Sequence, residues 1–166
     1  MTSTPQRLAF CVVLLAAACQ APPARARDDS EADVRAVRAV LDQQALDWNK
    51  GDLDGFLTGY WKSPKVVFMS GGNRFDGFEA MRDRYHRRYK AEGKAMGQLA
   101  FSDLEVESLG PEAAMARGRF RLTMPDGSKP TGLFTLIVRK FPDGWKIVHD
   151  HTSAEETRPV AEPQKP

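Results

Sequence analysis

Apolar residues recur along the chain in two periods, first helical and then alternating. Val34, Val37, Leu41, Ala45 and Trp48 fall three and four positions apart, which puts them on one side of a helix ending near Lys50-Gly51. Ser30 followed by Asp33 approximates a capping box at its start. Asp52 is placed to cap a shorter second helix through Leu53, Phe56 and Leu57, with Tyr60 and Trp61 at its end. Residues 65–69 form a brief β-like run and residues 70–77 a turn-rich loop. Asp76 and Glu79 again resemble a capping box, and Phe78, Met81, Tyr85 and Tyr89 supply the stripe of a third helix.

From Leu99 the period shortens to two. Residues 99–108, 113–123, 131–141 and 145–153 are four strand segments, separated by Gly110-Pro111, Pro125-Asp126-Gly127 and Pro142-Asp143-Gly144. Turns this short predict an antiparallel meander. The apolar phase slips between Phe101 and Leu104, as a bulge would require, and a bulge curves a sheet. Helices first and strands afterwards predict an α+β fold: three N-terminal helices packed in a strongly curved antiparallel sheet, with a pocket at the open end.

The N-terminus follows a different grammar. Arg7, the apolar run 8–15, three alanines and Cys19 make up a positive start, a short apolar stretch and a small-residue cleavage region. The run is well short of the roughly 20 residues that a membrane-spanning helix needs. Leu15-Ala16-Ala17-Ala18-Cys19 resembles a bacterial lipobox, with the leucine four positions before the cysteine. That resemblance implies a signal peptide at 1–18 and lipidation of Cys19; an ordinary secretory signal cut after Ala24-Arg25-Ala26 is the alternative. Residues 19–29, rich in Ala, Pro and Arg, read as a tether to a domain at 30–154, and residues 155–166 as a disordered tail. The expected location is the cell envelope, on the outer membrane if there are two, because Gln20 is not the aspartate that lipoprotein sorting uses for inner-membrane retention.

Charge and cysteine content narrow the chemistry. Losing the signal removes only Arg7 among the charged side chains, so the formal balance falls from +2 to +1, and nothing points to nucleic acid. Cys11 leaves with the signal, which excludes an internal disulfide, a cysteine zinc site and a cysteine nucleophile from the mature domain.

Asp47-Trp48-Asn49-Lys50-Gly51-Asp52-Leu53-Asp54-Gly55-Phe56-Leu57 resembles the opening of SnoaL-like domains in the nuclear transport factor 2-like superfamily. The closing Gly144-Trp145-Lys146-Ile147-Val148-His149-Asp150-His151-Thr152-Ser153 is similar to the last strand of that group, which includes the association domain of calmodulin-dependent kinase II. The resemblance implies a cone-shaped cavity and, in many members, a homodimer through the outer sheet face. Functions in the group range from isomerases to oligomerisation hubs, so function has to be argued from the cavity.

In a regular last strand, Trp145, Ile147, His149 and His151 share one face, opposite Asp150. His149 and His151 are therefore candidate proton carriers or ligand contacts, His151 being nearer the open end, against a reading as packed strand histidines. Two histidines without a third ligand make no metal site, and neither metal nor cofactor is expected. Arg117, Arg119 and Arg121 alternate along the second strand, as a solvated face does. Arg121 resembles in placement a pocket arginine of the kinase association domain, which would suit a carboxylate. Trp48, Tyr60, Trp61 and Phe68 lie where members of the group line the cavity, although Trp48 also fits plain core; Tyr60 is a candidate partner in catalysis. Arg82, Arg84, Arg87, Arg88 and Lys90 ring the third helix, a solvated face or one lying against anionic headgroups. No Gly-x-Ser-x-Gly elbow, Walker loop or zincin helix occurs. The sequence thus favours binding of a small molecule, a carboxylate or a hydrophobic one, in the cone cavity, with an isomerase-, dehydratase- or cyclase-type enzyme and an interaction module as rivals.

Overall fold

The computed structural model describes residues 24–155, with side chains from Ser30 onward. The signal segment, Cys11, Cys19, the first part of the tether and the tail after Glu155 lie outside the described residues.

Helix α1 (Ala24–Asn49) starts ahead of Ser30, inside the stretch read as an extended tether. Ala24-Arg25-Ala26-Arg27 are strong helix formers, and once the stripe from Val34 is docked each added residue gains a backbone bond. Ser30 is thus an interior residue and not the expected N-cap; Asp33 accepts from Lys140 Nζ at 2.7 Å. Val37, Leu41 and Trp48 face inward as their spacing requires. Helix α2 (Leu53–Leu57) is capped as its sequence predicts, the Asp52 carboxylate accepting from Gly55 N at 2.8 Å.

Six strands form one sheet: β1 (Val67–Ser70), β2 (Asn73–Asp76), β3 (Gln98–Ser108), β4 (Ala113–Thr123), β5 (Thr131–Phe141) and β6 (Gly144–Ala154), in the order β2-β1-β6-β5-β4-β3. The four long strands are the expected antiparallel meander. The sheet as a whole is mixed, because β1 pairs parallel with β6. The loop expected at 70–77 is instead a hairpin of β1 and β2: Gly71 and Gly72, at φ 57° and 74°, both take the left-handed conformation of a two-residue turn.

Helix α3 (Phe78–His86) begins after Gly77, with no capping box; Asp76 ends β2 and pairs with Arg74 at 2.8 Å. A π-helical turn, Arg87–Ala91, continues it. The expected bulge in β3 lies between Ser102 and Glu105, where Asp103 sits at φ 53°. A second bulge, not anticipated, makes Val148 an extra residue in β6: Ile137 faces His149, yet Val138 faces Ile147.

The concave side of the sheet closes on the helices, with Leu41, Met81, Val138 and Ile147 at the centre of the core. α1 also fastens the outer edge of the sheet. Asn49 Nδ2 donates to Leu99 O at 3.0 Å, Asn49 Oδ1 accepts from Leu99 N at 2.6 Å, and Arg38 Nη2 donates to Leu104 O at 2.7 Å.

Candidate functional site

Between the concave sheet and the helices lies a cavity of about 690 Å³, a size suited to a small molecule. Leu41, Trp48, Phe56, Phe68, Phe120 and Phe134 make most of its wall apolar. Trp48 is fixed in place: its Nε1 donates to Met96 O at 3.1 Å, and its ring meets those of Phe56 and Tyr89 edge-on at 5.0 Å. Such pairs add to the stability of the burial itself.

Behind this wall is a buried polar group. Tyr60 Oη donates to Asp150 Oδ2 at 2.7 Å, and Thr152 Oγ1 donates to Asp150 Oδ1 at 2.7 Å. Burial pushes the Asp150 carboxyl up to about 6, while the Tyr60 and Thr152 hydroxyls and the His151 charge pull it partly back. Burial also raises the Tyr60 hydroxyl well above its ordinary value, and the neighbouring Asp150 and Tyr85 add to that. The Tyr85 hydroxyl is raised for the same first reason, desolvation. Tyr85 and Thr152 line the cavity, and the Thr152 bond to Asp150 puts the carboxyl one side chain behind its wall. A carboxyl poised near neutrality can hold or release a proton there.

The β6 bulge creates this arrangement. Trp145 and Ile147 face inward, and the extra residue at Val148 reverses the alternation, so Asp150 and Thr152 also face inward. His149 and His151 share a face as expected, but it is the outer one; they pair across the sheet with Val67 and Met69 of β1 and do not line the cavity. Burial, with the His151 and Arg74 charges, lowers the His149 imidazole.

The other expected residues divide by position. Trp48 and Phe68 line the cavity, and Tyr60 lies just behind it. Trp61 is outside, stacked on Phe141 at 5.1 Å. Arg121 is exposed on the outer face, because its neighbours Phe120 and Leu122 take the inner positions of β4. Arg117 pairs there with Glu105 at 2.8 Å, and Arg119 pairs with Glu155. The cations that do reach the cavity are Arg84, Arg88 and Lys94, the first two from the helix face read as solvated. Sequence reasoning missed Asp150 as well. The one available signal was the apolar doublet Ile147-Val148, at which a period of two breaks. No cluster of three His, Cys, Asp or Glu side chains suited to a metal occurs among the described residues.

Residues 37–155 match the family model of the SnoaL-like domain. The chain belongs to the SnoaL-like family. An NTF-2 like protein of unknown function from Shewanella oneidensis MR-1 is 34% identical, with 76% of this chain and 98% of that one covered and a TM-score of 0.66. A nuclear transport factor 2 (NTF2-like) superfamily protein from Salmonella enterica is 20% identical, with 80% and 97% covered and a TM-score of 0.61. A ketosteroid isomerase-like protein from Erwinia carotovora atroseptica is 17% identical, with 75% and 97% covered and a TM-score of 0.62. Similarity at the latter two levels speaks for the SnoaL-like fold alone. No curated protein matches the chain.

Proposed function

We propose that this SnoaL-like domain binds a small, largely apolar molecule in its cone and does so on the outer side of a membrane, tethered through lipidated Cys19. The observation that carries the binding reading is the 690 Å³ cavity, its aromatic walls held rigid by edge-on contacts. A preformed apolar chamber gains from any ligand that displaces its poorly bonded water. Mass spectrometry of small molecules co-purifying with the protein, joined to thermal shift across apolar metabolites, tests it. A bound species and a raised Tm are expected; no species and no shift would overturn the reading. For the tether, Cys19→Ala is expected to abolish membrane partitioning while secretion continues, and unchanged partitioning would remove the anchor.

An enzymatic reading is favoured by one observation, the Asp150 carboxyl near 6 beneath the cavity. In it Asp150, in place of His151, is the acid or base, Tyr60 holds its carboxylate and Thr152 passes the proton. Turnover that survives Asp150→Asn would exclude it. Pairing of two copies through the outer face is supported by Leu133, 52% exposed there. A strict monomer in light scattering would remove that version of the interaction module.

A further inference from the structure

Three cations, Arg84, Arg88 and Lys94, line the cavity against one anion, Asp126. Arg84 of α3, Arg88 of the π-helical turn and Lys94 beyond it line the apolar chamber, and the same three line a second pocket of about 500 Å³. They therefore stand between the two pockets. Three carboxylates lie nearby: Asp126 on the chamber wall itself, and Asp83 and Glu92 on the second pocket. Asp126 accepts from Ser128 N at 2.9 Å and from Ser128 Oγ at 2.6 Å. Asp83 pairs with Arg82 at 3.2 Å, and Glu92 pairs with Lys94 at 3.2 Å.

Arg84 and Arg88 have no carboxylate partner among the described residues. Aromatic faces hold them instead: the Arg84 guanidinium lies 5.1 Å from the Phe75 ring centre and 5.4 Å from that of Phe68, and the Arg88 guanidinium lies 5.6 Å from the Tyr89 ring centre. A guanidinium held against a ring face spends none of its N–H donors there, so they remain available to a forked acceptor. The π-helical turn contributes here too, since one widened turn carries both Tyr89, on the cavity wall, and Arg88, at its mouth.

We infer that the ligand is an amphipathic anion, with its apolar body in the aromatic chamber and a carboxylate or similar forked oxyanion on Arg84 and Arg88. The inference rests on the small-molecule reading above and narrows it to a class. A neutral apolar molecule would fill the chamber but leave two guanidiniums with no counter-charge and less water. A cation would be repelled at the mouth. A small anion without an apolar body would leave the chamber unfilled.

Two matched pairs of probes separate the possibilities in calorimetric titrations of the purified protein: laurate against 1-dodecanol, and 1-naphthaleneacetate against 1-naphthaleneethanol. At least one carboxylate is expected to bind tenfold or more tighter than its alcohol, the effect of a charge-assisted fork. That preference should shrink as salt rises. Arg84→Gln/Arg88→Gln should abolish the preference, bringing the acid down to the affinity of its alcohol in the same variant. Arg121→Gln, on the outer face, should change neither. Equal binding of acid and alcohol, insensitive to Arg84→Gln/Arg88→Gln, would overturn the anion class and leave the cavity reading standing. Failure of all four probes to bind would overturn both. Circular dichroism of each variant verifies that it is folded before its affinity is compared.

Discussion

The two faces of the sheet handle charge in opposite ways. On the outer face of β3 and β4, Arg117 lies among Glu105 and Glu107 with all three side chains in water. On the inner face a single carboxylate, Asp150, is buried at 4% exposure, with two hydroxyl donors and no ion pair. The outer charges cost little and contribute little, because water already solvates them. The inner one is expensive when ionised, and that expense is what moves its titration towards neutrality. Exposed pairs of this kind keep a surface soluble; a buried, unpaired acid is a candidate for a site.

This contrast can be broken in graded steps. The largest effect should come from two leucines three positions apart on β5. Leu136→Ala, at 4% exposure on the inner face, is expected to cost about 2–5 kcal/mol, whereas Leu133→Ala, at 52% on the outer face, should stay within about 0.5 kcal/mol. Urea unfolding of both variants measures the difference, and equal losses would mean the assigned faces are wrong.

Next comes Asp150 itself. A folded-state value raised from 3.8 to about 6 means that its protonated form favours the native state. The contribution of Asp150 to stability is therefore full below about pH 4 and is lost as pH rises through about 6, by roughly 3 kcal/mol. Asp150→Asn should flatten that fall and leave the protein more stable than wild type at pH 8. A profile unchanged by the substitution would deny that Asp150 is the titrating group. Tyr60→Phe, which removes one donor from the ionised carboxylate, should move the midpoint upward and cost about 1.5–3 kcal/mol above it. Infrared titration of the carboxyl band would check the midpoint. The smallest effect belongs to the outer pair: Arg117→Ala is expected to cost under about 1 kcal/mol, and that cost should shrink in high salt.

Much of the fold was legible because local chemistry and global packing agree. The turns at Gly110-Pro111 and Pro142-Asp143-Gly144 and the period of two between them place β4 and β5 to the residue. The bulge near Asp103 was legible for a related reason, since Phe101 and Leu104 show the apolar phase on both sides of the slip. At Val148 no such contrast exists. Ile147 and Val148 are both apolar, so either can point inward, and the residues beyond are His, Asp, His and Thr, which carry no hydrophobic phase. The choice is made by pairing with β5 and β1, which no local pattern records. The parallel joining of β1 to β6 is a similar case, a decision of tertiary contacts. Arg84 and Arg88 were legible as cations on a helix. That they reach the cavity mouth depends on how α3 and its π-helical turn lie across the sheet.

The clasp between Asn49 and Leu99 bears on how copies of the protein behave when crowded. A terminal strand normally offers a row of free peptide groups on which a stranger's strand can grow. Here the Asn49 amide acts as a false neighbour, taking both the N–H and the C=O of Leu99, while Arg38 occupies the carbonyl of Leu104 beside the kink at Asp103. The opposite margin, β2, is only four residues long. With one border clasped at Leu99 and Leu104 and the other cut short, the sheet offers less open edge for strand-by-strand recruitment into fibrils.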